Sequence, residues 1–467
     1  MRAAMIVSRV VVCLSLALCV GGLPAWAADT NRVAKPVLAD PSGSDSGLDY
    51  YSQGGVVAGG VAYFTADHGS SKYWKADGYP FGVAFDVRTF KKLRTYPFKN
   101  TYDSCPLLVR TGEGRSLLLA HEYQMKRTVA MDRDTAAVVW ISPTNQPGAY
   151  FFGHSLYVNP EKTKLVFAAA QNGLHALSAG TGEEKWWSQV KSTGGVTPCV
   201  DQRKGWVFYQ ADGRLMKLRA SDGTVLKSVD VPRPCTCVSW NTVLINDRHG
   251  YFIATYWFGF HAEDGKTKKM EWNAAIRVYD ADLKLVWERA GLPGAKKSTL
   301  TYAHGKLVLS GGNQWGSKHT GTDWKYVAAY AIRTGDIVWK CDLGGIDYEC
   351  ICNVPYAYGS FFAEAWGKTS KMLRINARTG KLDEVLDYGS PVNSCAPFLF
   401  AHGRAFSGDL VRDGVVVTEV ATNSTAEWPG PFCDPQTNTY ALPDDPRAKP
   451  VRMREVGASL QKIVPAK

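Results

Sequence analysis

Past its first twenty residues the chain has no apolar run long enough to cross a bilayer as a helix, so no transmembrane helix is expected. It has no C-x-x-C pair, the tightest thiol spacing for a metal site, and no C-x-x-C-H for a covalently attached haem. Its lysines are dispersed rather than clustered, which argues against nucleic acid as a partner despite the formal net charge of +11. Removal of the amino-terminal segment takes away Arg2 and Arg9 and leaves a basic protein suited to anionic partners.

That segment reads as a signal peptide over residues 1–27: a basic start, an apolar run from Val10 to Val20, and Pro24-Ala25-Trp26-Ala27 before the cut. The mature protein is therefore expected to be periplasmic or secreted. Residues 28–50 read as a polar leader, 51–427 as one folded domain, and 428–467 as a tail packing on or near it.

The domain repeats. AFDVRTFKKL, AMDRDTAAVVW, ALSAGTGEEKWW, KLRASDGTVLK, VYDADLKLVW, AYAIRTGDIVW and RINARTGKLDEV share an alternating strand, a polar turn near Thr-Gly, and a second strand that often carries Trp. Thr89, Thr135, Thr181, Asp222, Leu283, Thr334 and Thr379 mark the turn, at intervals of 41 to 61 residues. A period of that size built from short strands predicts an all-β fold, a single β-propeller. An eighth unit, CAPFLFAHGRAFSGDLVRDGVVVTEVA, has the strand pattern without Thr-Gly; eight four-stranded blades are expected, with seven as the alternative.

The phrases AYAIRTGDIVW and ALSAGTGEEKWW resemble the PQQ-like repeat of the quinoprotein alcohol-dehydrogenase-like propellers. The resemblance spans nearly the whole mature chain and implies the fold more than an activity, because that superfamily holds both redox enzymes and cofactor-free scaffolds. In its enzymes the quinone lies against a disulfide of two adjacent cysteines, with calcium and a catalytic Asp. Here Cys235 and Cys237, and Cys350 and Cys352, are one residue apart; there is no Cys-Cys and no match to the catalytic Asp. Quinone redox chemistry is accordingly not expected.

In a propeller, the loops entering each innermost strand and the loops joining second to third strands share one face. Cys105, His154, Cys199, Cys235, Cys237, Cys350, Cys352 and Cys395 fall near the starts of innermost strands and should gather at the mouth of the axis. Three readings fit them: packing as small apolar side chains, disulfides between blades, or a metal held by thiolates and His154. The neighbouring loops bring His68, Lys72, Tyr73, Trp74, His121, Tyr123, Tyr256, Trp257, His261, Trp315, Lys318, His319 and Trp366 to the same face. Aromatic rings stack on sugar faces while ammonium groups pair carboxylates or sulfates. The composition therefore suits a binding module for an anionic glycan or an exported protein. A polysaccharide lyase acting on a uronate-containing glycan is the alternative, with His121, Tyr123, His154 and His68 as acid and base candidates. A quinone-dependent dehydrogenase is the third class.

Overall fold

The computed structural model describes residues 55–65, 82–99, 105–122, 125–143, 145–146, 154–190, 196–211, 213–231, 241–261, 271–293, 299–310, 325–348, 350–351, 353–389, 398–409, 414–430 and 433–456. They form eight antiparallel sheets, each with its strands in chain order from the axis outward. The blades cover residues 55–96, 107–141, 154–188, 199–230, 242–293, 301–342, 350–387 and 399–455. The innermost strand of blade 7 is split into Cys350–Ile351 and Tyr356–Ala357, both paired with Ser360–Trp366. First strands of successive blades touch one another around the axis. The propeller is thus eight-bladed, and the eighth unit without Thr-Gly is a blade.

Alternation along each second strand sends its side chains to the two neighbouring blades in turn. Leu117 and Leu119 of blade 2 pack with Val166 and Leu177 of blade 3, while Leu118 and Ala120 belong to the cluster holding blade 1. The same division recurs between blades 3 and 4, where Phe167 meets Val207, and between blades 4 and 5, where Phe208 meets Ile253. No blade has a dry face of its own, so each is completed by its neighbours.

The repeated phrase is explained by one contact between blades. Trp140, Trp186, Trp287 and Trp339 lie on outermost strands. Each donates its indole N–H to a carbonyl in the third-to-fourth-strand turn of the next blade: Ala179, Ala220, Ile332 and Ala377, at 2.7–3.2 Å. Each ring lies on that turn's glycine. A Cβ on Gly335 would come within 2.6 Å of the Trp287 ring, and one on Gly380 within 2.6 Å of Trp339. Gly182 and Gly223 meet Trp140 and Trp186 in the same way. All four are left-handed, with φ near +72°. Where no Trp arrives, Phe90, Ala136 and Leu283 adopt positive φ in its place. Glycine is therefore required here less for its dihedral angles than for its missing side chain. Leu283, read as an equivalent of Thr, occupies the glycine position instead. The blade 5 turn is a residue shorter, with Tyr279 paired to Leu285 where Leu177 of blade 3 is paired to Glu184.

After the third strand of blade 8, the chain does not go straight to the outer strand. Residues 427–430 and 433–442 run along the inside of the ring. Trp428 exchanges backbone bonds with Phe400 of blade 8 and Val57 of blade 1. The carbonyls of Pro435, Gln436 and Thr437 then accept from Leu156, Val200 and Leu244, the innermost strands of blades 3, 4 and 5. Thr439 reaches the Tyr302 carbonyl in blade 6, and Tyr440 and Leu442 pair with Tyr356 in blade 7. Trp428, Cys433, Asn438 and Tyr440 are buried. The segment lines the axis, and Lys449–Glu455 returns as the outermost strand of blade 8.

This arrangement also holds the seam. The strands of blade 1 all come from residues 55–96 and those of blade 8 all from 399–455, so no strand is exchanged between the chain's two ends. Instead the Glu427 carboxylate accepts from the Gly59 and Gly60 amides of blade 1 at 2.8 and 2.7 Å, and pairs with His402 at 2.9 Å. Arg404 of blade 8 donates to the Val87 carbonyl of blade 1 at 2.8 Å.

Candidate functional site

The second strands of five blades share a buried polar position. Ala62, Leu118, Val207, Leu307 and Phe361 lie opposite the bulge residue of the third strand. Three residues further on stand Thr65, His121, Gln210, Ser310 and Glu364, all buried. They form a layer just beneath the face where innermost strands begin. Ser310 uses its place to donate to the Ile351 carbonyl of blade 7 at 2.9 Å.

In blade 2 the layer meets two further histidines. His121 lies opposite Thr128 on the third strand, Arg127–Asp132. The Thr128 hydroxyl contacts Gln146 Oε1 at 2.8 Å and, across the blade boundary, His154 Nε2 at 3.1 Å. On blade 3 the small side chain of Ala168 lies between His154 and His175, its partners on either strand. His175 is shared between Glu184 at 2.6 Å and Asn172 at 3.0 Å, and stacks on Trp187. Three imidazoles thus line one boundary. Burial, with His154 and His175 close by, pushes the pKa of His121 down to about 3. Burial alone takes His154 to about 4. His175 is lowered by burial against the opposing pull of Glu184.

His121 and His154, the acid and base candidates, are each 1% exposed. They are held neutral inside the wall between two blades, not presented on its surface. A polysaccharide cannot reach either ring while the blades remain together. His68 and Tyr123 lie outside the described residues, as do Lys72, Tyr73, Trp74, Trp315, Lys318, His319, Cys235, Cys237, Cys352 and Cys395. The backbone of Cys350 is the start of the split strand of blade 7.

Tyr256 is fully buried and belongs to the core, not to a ligand surface. Trp257 and His261 lie on the second strand of blade 5, Gly250–His261, which pairs with Glu271–Tyr279 as far as His261 opposite Glu271. The two middle strands of blade 5, of 12 and 9 residues, therefore make a hairpin longer than those of the other blades. Trp366 ends the second strand of blade 7; it is partly exposed, and its indole N–H has no hydrogen-bond partner.

The thiols are settled for one member of the ring. Cys199 is a free, buried cysteine packed with Phe208, Leu215 and Leu244, the arrangement expected of a small apolar side chain in the core. Burial raises its pKa well above the ordinary thiol value, which keeps it protonated and inert. Cys105 is likewise buried, in the cluster beside blade 1. Among the described residues no three His, Cys, Asp or Glu side chains are grouped to hold a metal ion.

Sequence reasoning missed His175, because its place is set by strand register: His154, Ala168 and His175 are aligned only after folding. It also missed the segment that lines the axis. The only available signal was the long separation between the last repeat-like strand and the chain's end.

A family model described as outer membrane protein assembly factor BamB, built on the PQQ-like repeat, matches residues 125–276. The chain is an eight-bladed β-propeller, and the PQQ-like repeat model matches about a third of it. In fold it is similar to BamB from Moraxella catarrhalis, at 12% identity and a TM-score of 0.53, covering 79% of this chain and 96% of that one. It is also similar to Sqt1 from Saccharomyces cerevisiae, at 10% identity and a TM-score of 0.55, covering 83% and 98%. No curated protein matches it in sequence. Among the described residues no helix is long and apolar enough to cross a membrane.

Proposed function

We propose that this protein is an exported binding propeller without quinone redox activity. It engages a protein partner or an anionic glycan through the face where the innermost strands begin. The observation that carries this reading is that the acid and base candidates His121 and His154 are buried between two blades. Residues 427–430 and 433–442 line the inside of the ring and narrow the axis, which favours the surrounding loops as the place where a ligand is met. The burial of His121 and His154 supports a binding role over a lyase, since neither imidazole is positioned to exchange protons with a polymer. The matching family description, an outer-membrane assembly factor, agrees with a periplasmic partner-binding role.

The test is affinity capture from a periplasmic extract with the mature protein, alongside ultraviolet absorbance during incubation with polyuronates. Capture of a defined partner that is lost in Trp366→Ala supports the binding module. A steady rise in absorbance from newly formed unsaturated uronate would replace it with the lyase reading.

A further inference from the structure

The opposite face, where the first-to-second-strand and third-to-fourth-strand turns lie, has two clefts flanking one turn of blade 2. The first, of about 480 Å³, is lined by Leu108, Arg110, Gly114, Ser116 and Arg133. The second, of about 390 Å³, lies toward blade 3, and its walls include Thr111, Arg115, Lys162, Thr163, Lys164 and Thr181. Five cationic side chains therefore surround residues 111–116.

Among the described residues only Arg133 of the five is in an ion pair, with Asp134 at 2.9 Å, while Arg115 lies near enough to Asp132 to help lower its pKa. Lys164 is bent onto the main-chain carbonyl of Arg110. Two like charges are thereby drawn together, and burial and the Arg110 guanidinium lower the Lys164 pKa. Arg110 and Lys164 are held close with no ion pair to either among the described residues, and an anion between them would relieve the repulsion. The Thr111 hydroxyl, in the wall of the second cleft, is shielded from solvent and has no hydrogen-bond partner. The carboxylates of Glu113 and Glu161 also border this cleft, and both residues are exposed. Their repulsion disfavours a compact, highly charged anion. It is tolerable for an extended chain whose charges are spaced along hydroxyl-bearing units, which the threonines and Ser116 can also bond.

We propose that the two clefts together bind a segment of an anionic glycan, whose carboxylate or sulfate groups are met by Arg110 and Arg133 on one side of the turn and by Arg115, Lys162 and Lys164 on the other. This site is on the face opposite the one assigned above, and it stands whether or not that assignment does.

The experiment is titration of the full mature protein with a size-defined polyuronate and, separately, a sulfated glycan of equal length, at low and moderate salt. Binding to at least one is expected. It should weaken at least tenfold in the Arg110→Ala/Arg115→Ala variant and in Lys162→Ala/Lys164→Ala, while melting temperatures change little, since most of these residues are exposed. Glu113→Gln/Glu161→Gln should bind more tightly. Lys284→Ala/Lys381→Ala removes two lysines from turns of blades 5 and 7 on the same face and should bind as the parent does. Failure to bind either glycan would overturn the proposal. So would cleft variants that bind normally, or blade 5 and 7 variants that lose as much, which would mark diffuse basicity. Retention of a captured loop-face partner by the cleft variants would separate this site from the other.

Discussion

Gly380 has no room for a side chain. Its φ of +72° already costs an L-residue about 1–2 kcal/mol, and a methyl group would press into the Trp339 ring at 2.6 Å. Gly380→Ala should therefore destabilise the protein by about 3 kcal/mol, read from the denaturant midpoint at unchanged slope. Ala136→Gly, at the equivalent turn of blade 2, should change stability by less than about 1 kcal/mol, because no Trp covers that position and a left-handed Ala is already tolerated. If both substitutions cost the same, the Trp–Gly contact is not what the repeat preserves. Glu427 matters for a different reason: it satisfies two blade 1 amides across a seam that no strand crosses. Glu427→Ala should cost about 1–3 kcal/mol and be seen as a lower melting temperature, whereas Glu427→Gln should retain part of the loss.

At the scale of elements, the boundary between blades 2 and 3 is the one that should answer to acid. His121 and His154 have native pKa values of about 3 and 4, below the ordinary value near 6.5 that they regain on unfolding. The unfolded chain therefore binds more protons between those limits, and the stability they confer is complete above pH 6.5 and falls as the pH drops toward 4. Each contributes a slope of up to about 1.4 kcal/mol per pH unit in that window. Urea titrations at pH 7 and pH 5 should show a loss that is reduced in a His121→Gln/His154→Gln variant. An unchanged pH dependence would mean these rings are not the groups that titrate. The His121 position was legible in the sequence only as an apolar strand with a polar end. Its role was not, because alternation says that a side chain faces a neighbouring blade without saying what waits there. Thr128 and His154 are brought to it by register and by the rotation between blades.

For the whole molecule, the decisive element is the segment that lines the axis. Asn438 donates its side-chain amide to the Thr197 and Pro198 carbonyls of blade 4, and its own carbonyl accepts from Asn241 of blade 5. Asn438→Ala should lower the melting temperature while leaving one cooperative transition, since it unseats one link among many. Ending the chain after residue 426 should abolish that transition. It removes the axis-lining segment, the seam carboxylate and the outer strand of blade 8 together, and circular dichroism with limited proteolysis would report it.

The sequence by itself determined a ring of four-stranded blades, because a blade of alternating short strands cannot bury both faces alone, but it left seven or eight open and the structure decided for eight. It also determined the Trp and Thr-Gly positions as points of structure, since their recurrence marks a contact every blade boundary can reuse. What only the tertiary structure decided was where non-repeating residues go. The lining of the axis by residues 427–430 and 433–442, the gathering of His121, His154 and His175 on one boundary, and the inert packing of Cys199 all depend on contacts between residues far apart in the chain. Those contacts have no local period, and the inward or outward sense of a side chain in a strand shifts with a single residue of register.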